Sequence, residues 1–475
     1  MTSENTDLAR VLAHIDANSD SFVERVMEYV KHKSISASNE GITEAADILV
    51  GILNGLGMQA QAITTRNHPM VIGRMENQPG KPTVLLYGHY DVQPPEPLDL
   101  WKSPPFEPEI RDGRIYARGI GDNKGQHFAQ LLAIESYLKV VGELPCNVIF
   151  LLEGEEEIGS PHMAEFVAEH ADKLNADLVV TSDGSLHDSG RPVVTFGVRG
   201  VASFELRAKT ANRDAHSGNF GGVMPNAIWK LVHLLATMKN DRGEITIDGI
   251  YDPVVPPTDL ELQAMAALPL DIEKIKAELG MTAIDEPADR PYYERLMFQP
   301  TLTINGLHGG YGGPGQKTVL PSEAYAKCDI RLVESLTPDY VFEKVRAHVE
   351  KHAPDVEFVP QNSMLPSKTP MDSPFASVIR EAIVAARGVE PLLYPSLGGS
   401  LPDYVFTKIL GKPAFVVPYA NADQANHAPN ENLKLDLFHA GIRTGAALLA
   451  KLGEMKGGMV GQGWWSGAPR RYNLP

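Results

Sequence analysis

The sequence predicts an α/β fold: a mixed sheet covered by helices, interrupted by an inserted α+β domain. Three observations predict it. Short, wholly apolar runs alternate with helix-patterned stretches in the first 200 residues. Beyond residues 197–200 the pattern changes to strict apolar/polar alternation, the mark of a half-exposed sheet. And 475 residues, 43% of them hydrophobic, are too many for one ordinary core.

The elements follow in order. Residues 21–30 place Phe22, Val23, Val26, Met27 and Val30 at helical spacing. Residues 82–87 form an apolar run that stops at Gly88-His89. Residues 147–152 form a second, stopping at Glu153-Gly154, and residues 176–181 a third, stopping before Asp183-Gly184. Helices are expected between them at 126–140 and 161–170. In parallel or mixed sheets, ligands gather at the carboxyl ends of strands, where His89, the Glu155-Glu156-Glu157 run and Asp183 stand. Residues 201–209 and 321–332 alternate as half-exposed strands. Residues 244–300 are rich in Pro and acidic side chains, with a short helix at 260–267. Residues 374–388 return to an amphipathic helix, and a strand follows at 414–418. The expected domains are a first part of the α/β domain at 1–199, an inserted α+β domain at 200–365, and the second part of the α/β domain at 366–475. The Gly-rich tail with Trp464 and Trp465 reads as irregular and receives no function.

Composition narrows the function classes. The net charge is -17, which argues against nucleic acid and anionic membrane surfaces as partners. Cys146 and Cys328 are too few for a disulfide framework or a thiolate metal cage, and read as core residues of a reducing compartment. The N-terminus lacks signal-peptide character, and no apolar stretch reaches the length of a membrane span, so a cytoplasmic protein is expected.

The chemistry lies in a set of polar residues that strands and glycine turns present. In Gly88-His89-Tyr90-Asp91, a carboxylate that takes the proton of one imidazole nitrogen leaves the other free for a metal. In Gly119-Ile120-Gly121-Asp122, glycines allow close backbone approach to a carboxylate that can bridge two cations; the plainer reading is a turn or helix cap. In the run 153–160, adjacent Glu side chains repel unless cations or protons intervene. One could bind metal while the next serves as general base; the plainer reading is a solvated helix start. Asp183 and His427 complete a nitrogen and oxygen donor set suited to a catalytic zinc pair.

These motifs, with Asp214-Ala215-His216-Ser217-Gly218 and the segment 313–321, occur in one order, and the chain resembles the carnosinase-like dipeptidases. That family belongs to the di-zinc exopeptidases and deacylases that include aminoacylase and acetylornithine deacetylase. The resemblance covers residues 21–451 and implies a di-zinc catalytic domain with an inserted lid and dimerisation domain.

It further implies two divalent metal ions per subunit, zinc first and manganese or cobalt as alternatives. Asp122 would bridge them, with His89 and Asp183 on one ion and Glu157 and His427 on the other. A bridging hydroxide would balance the charge. Glu156 would be the general base and Asp91 would orient His89. His216 would donate to the oxyanion across a homodimer interface. Arg331 would clamp a substrate carboxylate, with Thr318 and Ser400 nearby, and a cis peptide is expected between Asp122 and Asn123. The implied activity is hydrolysis of a peptide or amide bond in a small substrate, foremost a dipeptide. Leu397 stands where close dipeptidase relatives carry Glu, which favours an alternative, an N-acyl-amino-acid amidohydrolase. A catalytically dead binding protein is the third reading.

Overall fold

The computed structural model describes residues 3–284 and 291–455. The chain divides into two compact units. Unit 1 comprises Met1–Gly197, Lys368–Tyr394 and Val405–Pro475; unit 2 comprises Val198–Ser367 and Pro395–Tyr404. The Gly-rich tail lies outside the described residues. The segment 395–404, placed by sequence in the second part of the α/β domain, clusters with the insert instead.

Unit 1 is built on an eight-stranded mixed sheet. Its strand order is Gln59–Ile63, Met70–Met75, Asn147–Glu153, Thr83–His89, Leu178–Thr181, Ala414–Val416, Val193–Thr195 and Leu392–Tyr394. The three apolar runs seen in the sequence are its central parallel strands, pairing His89 with Glu153 and Tyr87 with Thr181. Asn147–Glu153 is buried along its whole length, which is why its sequence is continuously apolar rather than alternating. Helix Lys124–Val140 is likewise buried over most of its length. It packs against the long helix Leu435–Glu454, whose apolar residues run around most of its circumference. The helices Ser3–Ala17 and Ile42–Gly55, the edge strand Gln59–Ile63 and its neighbour Met70–Met75 have no counterpart among the elements expected from sequence.

Unit 2 carries a four-stranded antiparallel sheet, ordered Thr301–Gly309, Glu323–Leu332, Gly200–Lys209 and Val356–Met364. The predicted alternation is present: every second residue of Gly200–Lys209, including Ala202, Phe204, Leu206 and Ala208, is buried. These side chains meet Leu231 and Leu234 of helix Ala227–Met238 and Val341, Val345 and Val349 of helix Pro338–His352. The insert holds helices Asp259–Ala266, Ile272–Leu279 and Tyr292–Phe298, where sequence predicted the first alone. Asp259–Ala266 starts at a Thr258/Glu261 capping box.

Candidate metal centre

Each unit 1 candidate is delivered by an element ending. His89 is the last residue of the central strand Thr83–His89, and Asp183 follows the neighbouring strand by two residues. Glu156 and Glu157 begin a single 3-10 turn just beyond strand Asn147–Glu153. Asp122 ends the glycine loop before helix Lys124–Val140, and its peptide bond to Asn123 is cis, as the resemblance implied. His427 sits in the loop before strand Asn432–Lys434 with a left-handed backbone, φ 57°. Gly88 makes room: a Cβ there would lie 2.7 Å from Asn123 Oδ1 and 2.8 Å from the His127 Cβ. A Cβ at Gly121 would collide with Gln424 Oε1.

Together these residues converge. His89 Nε2 lies 3.0 Å from Asp122 Oδ1 and 3.6 Å from Asp183 Oδ2. His427 Nε2 lies 3.2 Å from Asp122 Oδ2 and 3.1 Å from Glu157 Oε2. The two oxygens of Asp122 thus face two separate groups, each with one imidazole and one further carboxylate. Within each triad the potential ligand atoms lie within 4.8 Å of one another. On the far side of His89, Nδ1 lies 3.1 Å from the Asp91 carbonyl oxygen and 3.4 Å from its Oδ1, so it donates there and turns Nε2, the nitrogen a metal would take, toward Asp122 and Asp183.

The electrostatics ask for positive charge. Burial alone would depress the His89 pKa, yet Asp122, Asp183 and Asp91 hold it well above its ordinary value. Hydrogen bonds to Asp122 and Glu157 push His427 up to about 10. Burial raises the Glu156 carboxyl well above the usual range, His89 opposing and Asp183, Asp122 and Glu157 adding to the rise. A cluster of carboxylates that draws protons onto both imidazoles fits divalent cations between them, and the donors are the oxygen and nitrogen types such cations take.

The surroundings show two features that sequence did not reveal. Asp91 accepts the backbone N–H of Glu156 at 3.2 Å and of Glu157 at 3.0 Å, so the same carboxylate that meets His89 also sets the Glu turn. Glu431, 1% exposed, gathers four donors. Arg118 Nη1 (2.7 Å) and Gly119 N (3.0 Å) reach one oxygen; Gly121 N (2.9 Å) and Asp122 N (3.0 Å) reach the other. One side chain thereby ties the Asp122 loop to the segment bearing His427. The Asn-His-x-x-x-Glu spacing is the signal that could have singled it out. Asn426 Nδ2 also donates to Asp122 Oδ2 at 3.2 Å, and Gln93 Nε2 to Glu157 Oε2 at 2.9 Å.

The remaining candidates lie in unit 2, in two pairs. His216 is exposed; its Nδ1 accepts the Gly218 N–H at 3.0 Å, and its Nε2 lies 3.4 Å from Thr318 Oγ1. Arg331 Nη1 donates to Ser400 Oγ at 2.9 Å.

A mixed α/β sheet with this donor set at its strand ends defines a candidate two-metal site of the kind that metal-dependent hydrolases use. Residues 85–451 match Peptidase family M20/M25/M40. The chain is 29% identical to the Beta-Ala-His dipeptidase of Rattus norvegicus, covering 95% of this chain and 96% of that one. It is 31% identical to the Cys-Gly metallodipeptidase of Schizosaccharomyces pombe, covering 90% and 95%. Among solved structures, an M20 family metallo-carboxypeptidase from Sulfolobus solfataricus shares 34% identity over 91% of this chain and 99% of its own, with a TM-score of 0.85. The chain belongs to Peptidase family M20/M25/M40.

Proposed function

We propose that the protein is a metal-dependent dipeptidase acting on small peptides with a free C-terminal carboxylate. The observation that carries this reading is the Asp122 carboxylate, turned by one oxygen toward His89 and Asp183 and by the other toward His427 and Glu157. The dipeptidase names of the relatives support the substrate class.

On this reading His89, Asp122 and Asp183 hold one divalent cation and Asp122, Glu157 and His427 the second, zinc being the expected metal. Cations bound by these residues would supply Lewis-acid polarisation of a carbonyl and a lowered pKa for water near neutral pH. Asp91 fixes the His89 tautomer and the Glu156-Glu157 turn. Glu156 takes the proton of the attacking water and gives it to the leaving amine as the C–N bond breaks. Its raised pKa suits a group that must both accept and release a proton.

His216 is the oxyanion donor of this scheme, offered to the site of a second copy in a homodimer. Its hydrogen bond from Gly218 N–H supports the role, because an imidazole that accepts at Nδ1 carries its proton at Nε2. Arg331, with Ser400, holds the substrate carboxylate, and Thr318 lies beside His216. The two buried free cysteines support a cytoplasmic setting. No helix among the described residues is long and apolar enough to cross a membrane.

Leu397, 36% exposed, favours a second reading. A leucine offers no charge to a substrate ammonium, so N-acylated amino acids or longer peptides become acceptable. A turnover screen with added Zn2+, Mn2+ or Co2+ on free dipeptides, their N-acetyl forms and tripeptides tests both. Preference for free dipeptides supports the first reading. Preference for blocked or longer substrates supports the second. No amide hydrolysis with any metal refutes both.

A further inference from the structure

In unit 2, Arg199 lies just before strand Gly200–Lys209 and is 6% exposed. Its backbone N–H is shared by the carbonyls of Leu397 (3.2 Å) and Gly399 (3.1 Å), and its Nε donates to the Gly398 carbonyl at 2.8 Å. Three consecutive carbonyls of the loop that bears Ser400 therefore end on one arginine. Gly398 lets that loop close over the guanidinium: a Cβ there would stand 3.3 Å from Arg199 Nη2 and 2.9 Å from Leu296 Cδ1.

The far end of this guanidinium has no such use. Its Nη1 is buried and meets no acceptor among the described residues. Burying a cation without a carboxylate against it is costly unless an anion arrives. Asp329, the carboxylate that acts on it electrostatically, is engaged by Arg331 Nε at 3.6 Å. Val201, two residues beyond Arg199, pairs across the sheet with Arg331. The proximity registers in the charge balance: burial first, then Arg331, bring Arg199 down to about 10, with Asp329 opposing. Two guanidiniums thus share one carboxylate in a place that excludes water from one of them.

We propose that Arg199 and Arg331 form a paired-guanidinium site for the substrate's carboxylate, Arg331 from the exposed side and Arg199 Nη1 from the buried side. This rests on the reading that the substrate presents a free carboxylate. A carboxylate offers two oxygens, and planar guanidinium groups are suited to taking both. Arg199 would also position Ser400, and through it Arg331, by holding the loop.

The test uses the full-length, metal-loaded enzyme with a substrate peptide and its C-terminal carboxamide. Arg199→Met should raise KM for the acid by about 10- to 100-fold, leave kcat much less changed, and erase most of the preference for acid over amide. Arg199→Lys should restore part of that preference. If Arg199→Met alters acid and amide equally, the arginine only holds the loop and the proposal is overturned. Should Arg199→Met fail to fold, Gly398→Ala, which crowds Nη2 while keeping the charge, must shift the same ratio in the same direction; an unchanged ratio overturns the proposal. If wild type cleaves no peptide, the functional reading falls separately. Calorimetric binding of N-acetylglycine to wild type and the variants then decides the anion site alone: tenfold or greater weakening supports it, and equal binding overturns it.

Discussion

The two units treat their polar residues in opposite ways. Unit 1 takes charge inside: His89 and Asp91 are fully buried, Asp122 and Asp183 nearly so, and each is in contact with another charged group of the set. Unit 2 builds its core cluster from apolar side chains, buries single polar groups such as Arg199 and His348 rather than a charged cluster, and leaves His216 and Thr318 in solvent, with Arg331 36% exposed. A buried carboxylate cluster persists only when cations or donors balance it, so unit 1 carries its chemistry as a preassembled set. Exposed groups need no such compensation, and their use depends on what comes to meet them. Changes in unit 1 should therefore act on metal binding and the chemical step, and changes in unit 2 on recognition and transition-state contacts.

The sharpest break of that division is Glu156→Gln. The variant keeps size and polarity but removes the proton carrier, so turnover should fall about 100- to 10,000-fold. Metal content, read by inductively coupled plasma mass spectrometry, should stay at the wild-type level because Glu156 belongs to neither metal triad. Near-normal kcat would remove Glu156 from the mechanism.

Next is His216→Ala, expected to cost about 100- to 1,000-fold in kcat with metal content unchanged. Since the role is proposed across a homodimer, mixing is the decisive measurement. Inactive His216→Ala and Glu156→Gln chains, dissociated and reassociated together, should regain about a quarter of wild-type activity, because half the dimers are mixed and each has one intact site. Heterodimers that form without regaining activity would place His216 outside the partner's site.

Glu431→Gln should act more mildly. The amide keeps the shape, but whichever oxygen its NH2 replaces meets two groups that can only donate: Arg118 with Gly119 N, or Gly121 N with Asp122 N. The Asp122 loop should loosen, weakening metal affinity by about 10- to 100-fold in chelator competition. An unchanged affinity would make Glu431 a packing residue only.

This comparison also explains what could be read from sequence. His89 and the Glu156-Glu157 pair were legible because a buried parallel strand is apolar until its carboxyl end, so the polar residues at or just beyond that end mark the site. Asp122 was visible only through its glycine-flanked motif. The Asn-His-x-x-x-Glu spacing marks Glu431 only as a neighbour of His427; what it does comes from donors 309–313 positions away, which the local pattern does not encode. Helix Pro338–His352 carried a readable start, Thr337 as cap with Pro338 next, and was overlooked. Strand Thr301–Gly309 was not readable: as an edge strand exposed along most of its length, it lacks alternation. Arg199 was invisible as a functional residue, since it becomes one only when residues 397–399 fold against it.

The smallest effect belongs to unit 2 and to pH. His348, 5% exposed, stacks on His352 at 4.3 Å, and its Nε2 lies 2.9 Å from Thr237 Oγ1. That hydroxyl already donates to the Leu234 carbonyl at 2.7 Å, so it accepts from Nε2–H of a neutral imidazole. Burial first, then His352, with Asp248 opposing and Lys351 adding, bring His348 down to about 4. The folded state therefore resists a proton that the unfolded chain accepts near 6.5. The stability is fully present above about 6.5, declines as pH falls from there, and is lost once pH reaches the folded value near 4. The loss is at most about 3 kcal/mol, a shift of several degrees or less in Tm. Metal release from unit 1 also destabilises at acid pH, so the measurement is a double difference. The drop in Tm between pH 7.5 and pH 5.0 should be smaller in His348→Gln than in wild type, the metal contribution cancelling between them. Equal drops would show that His348 takes up its proton without cost to unit 2.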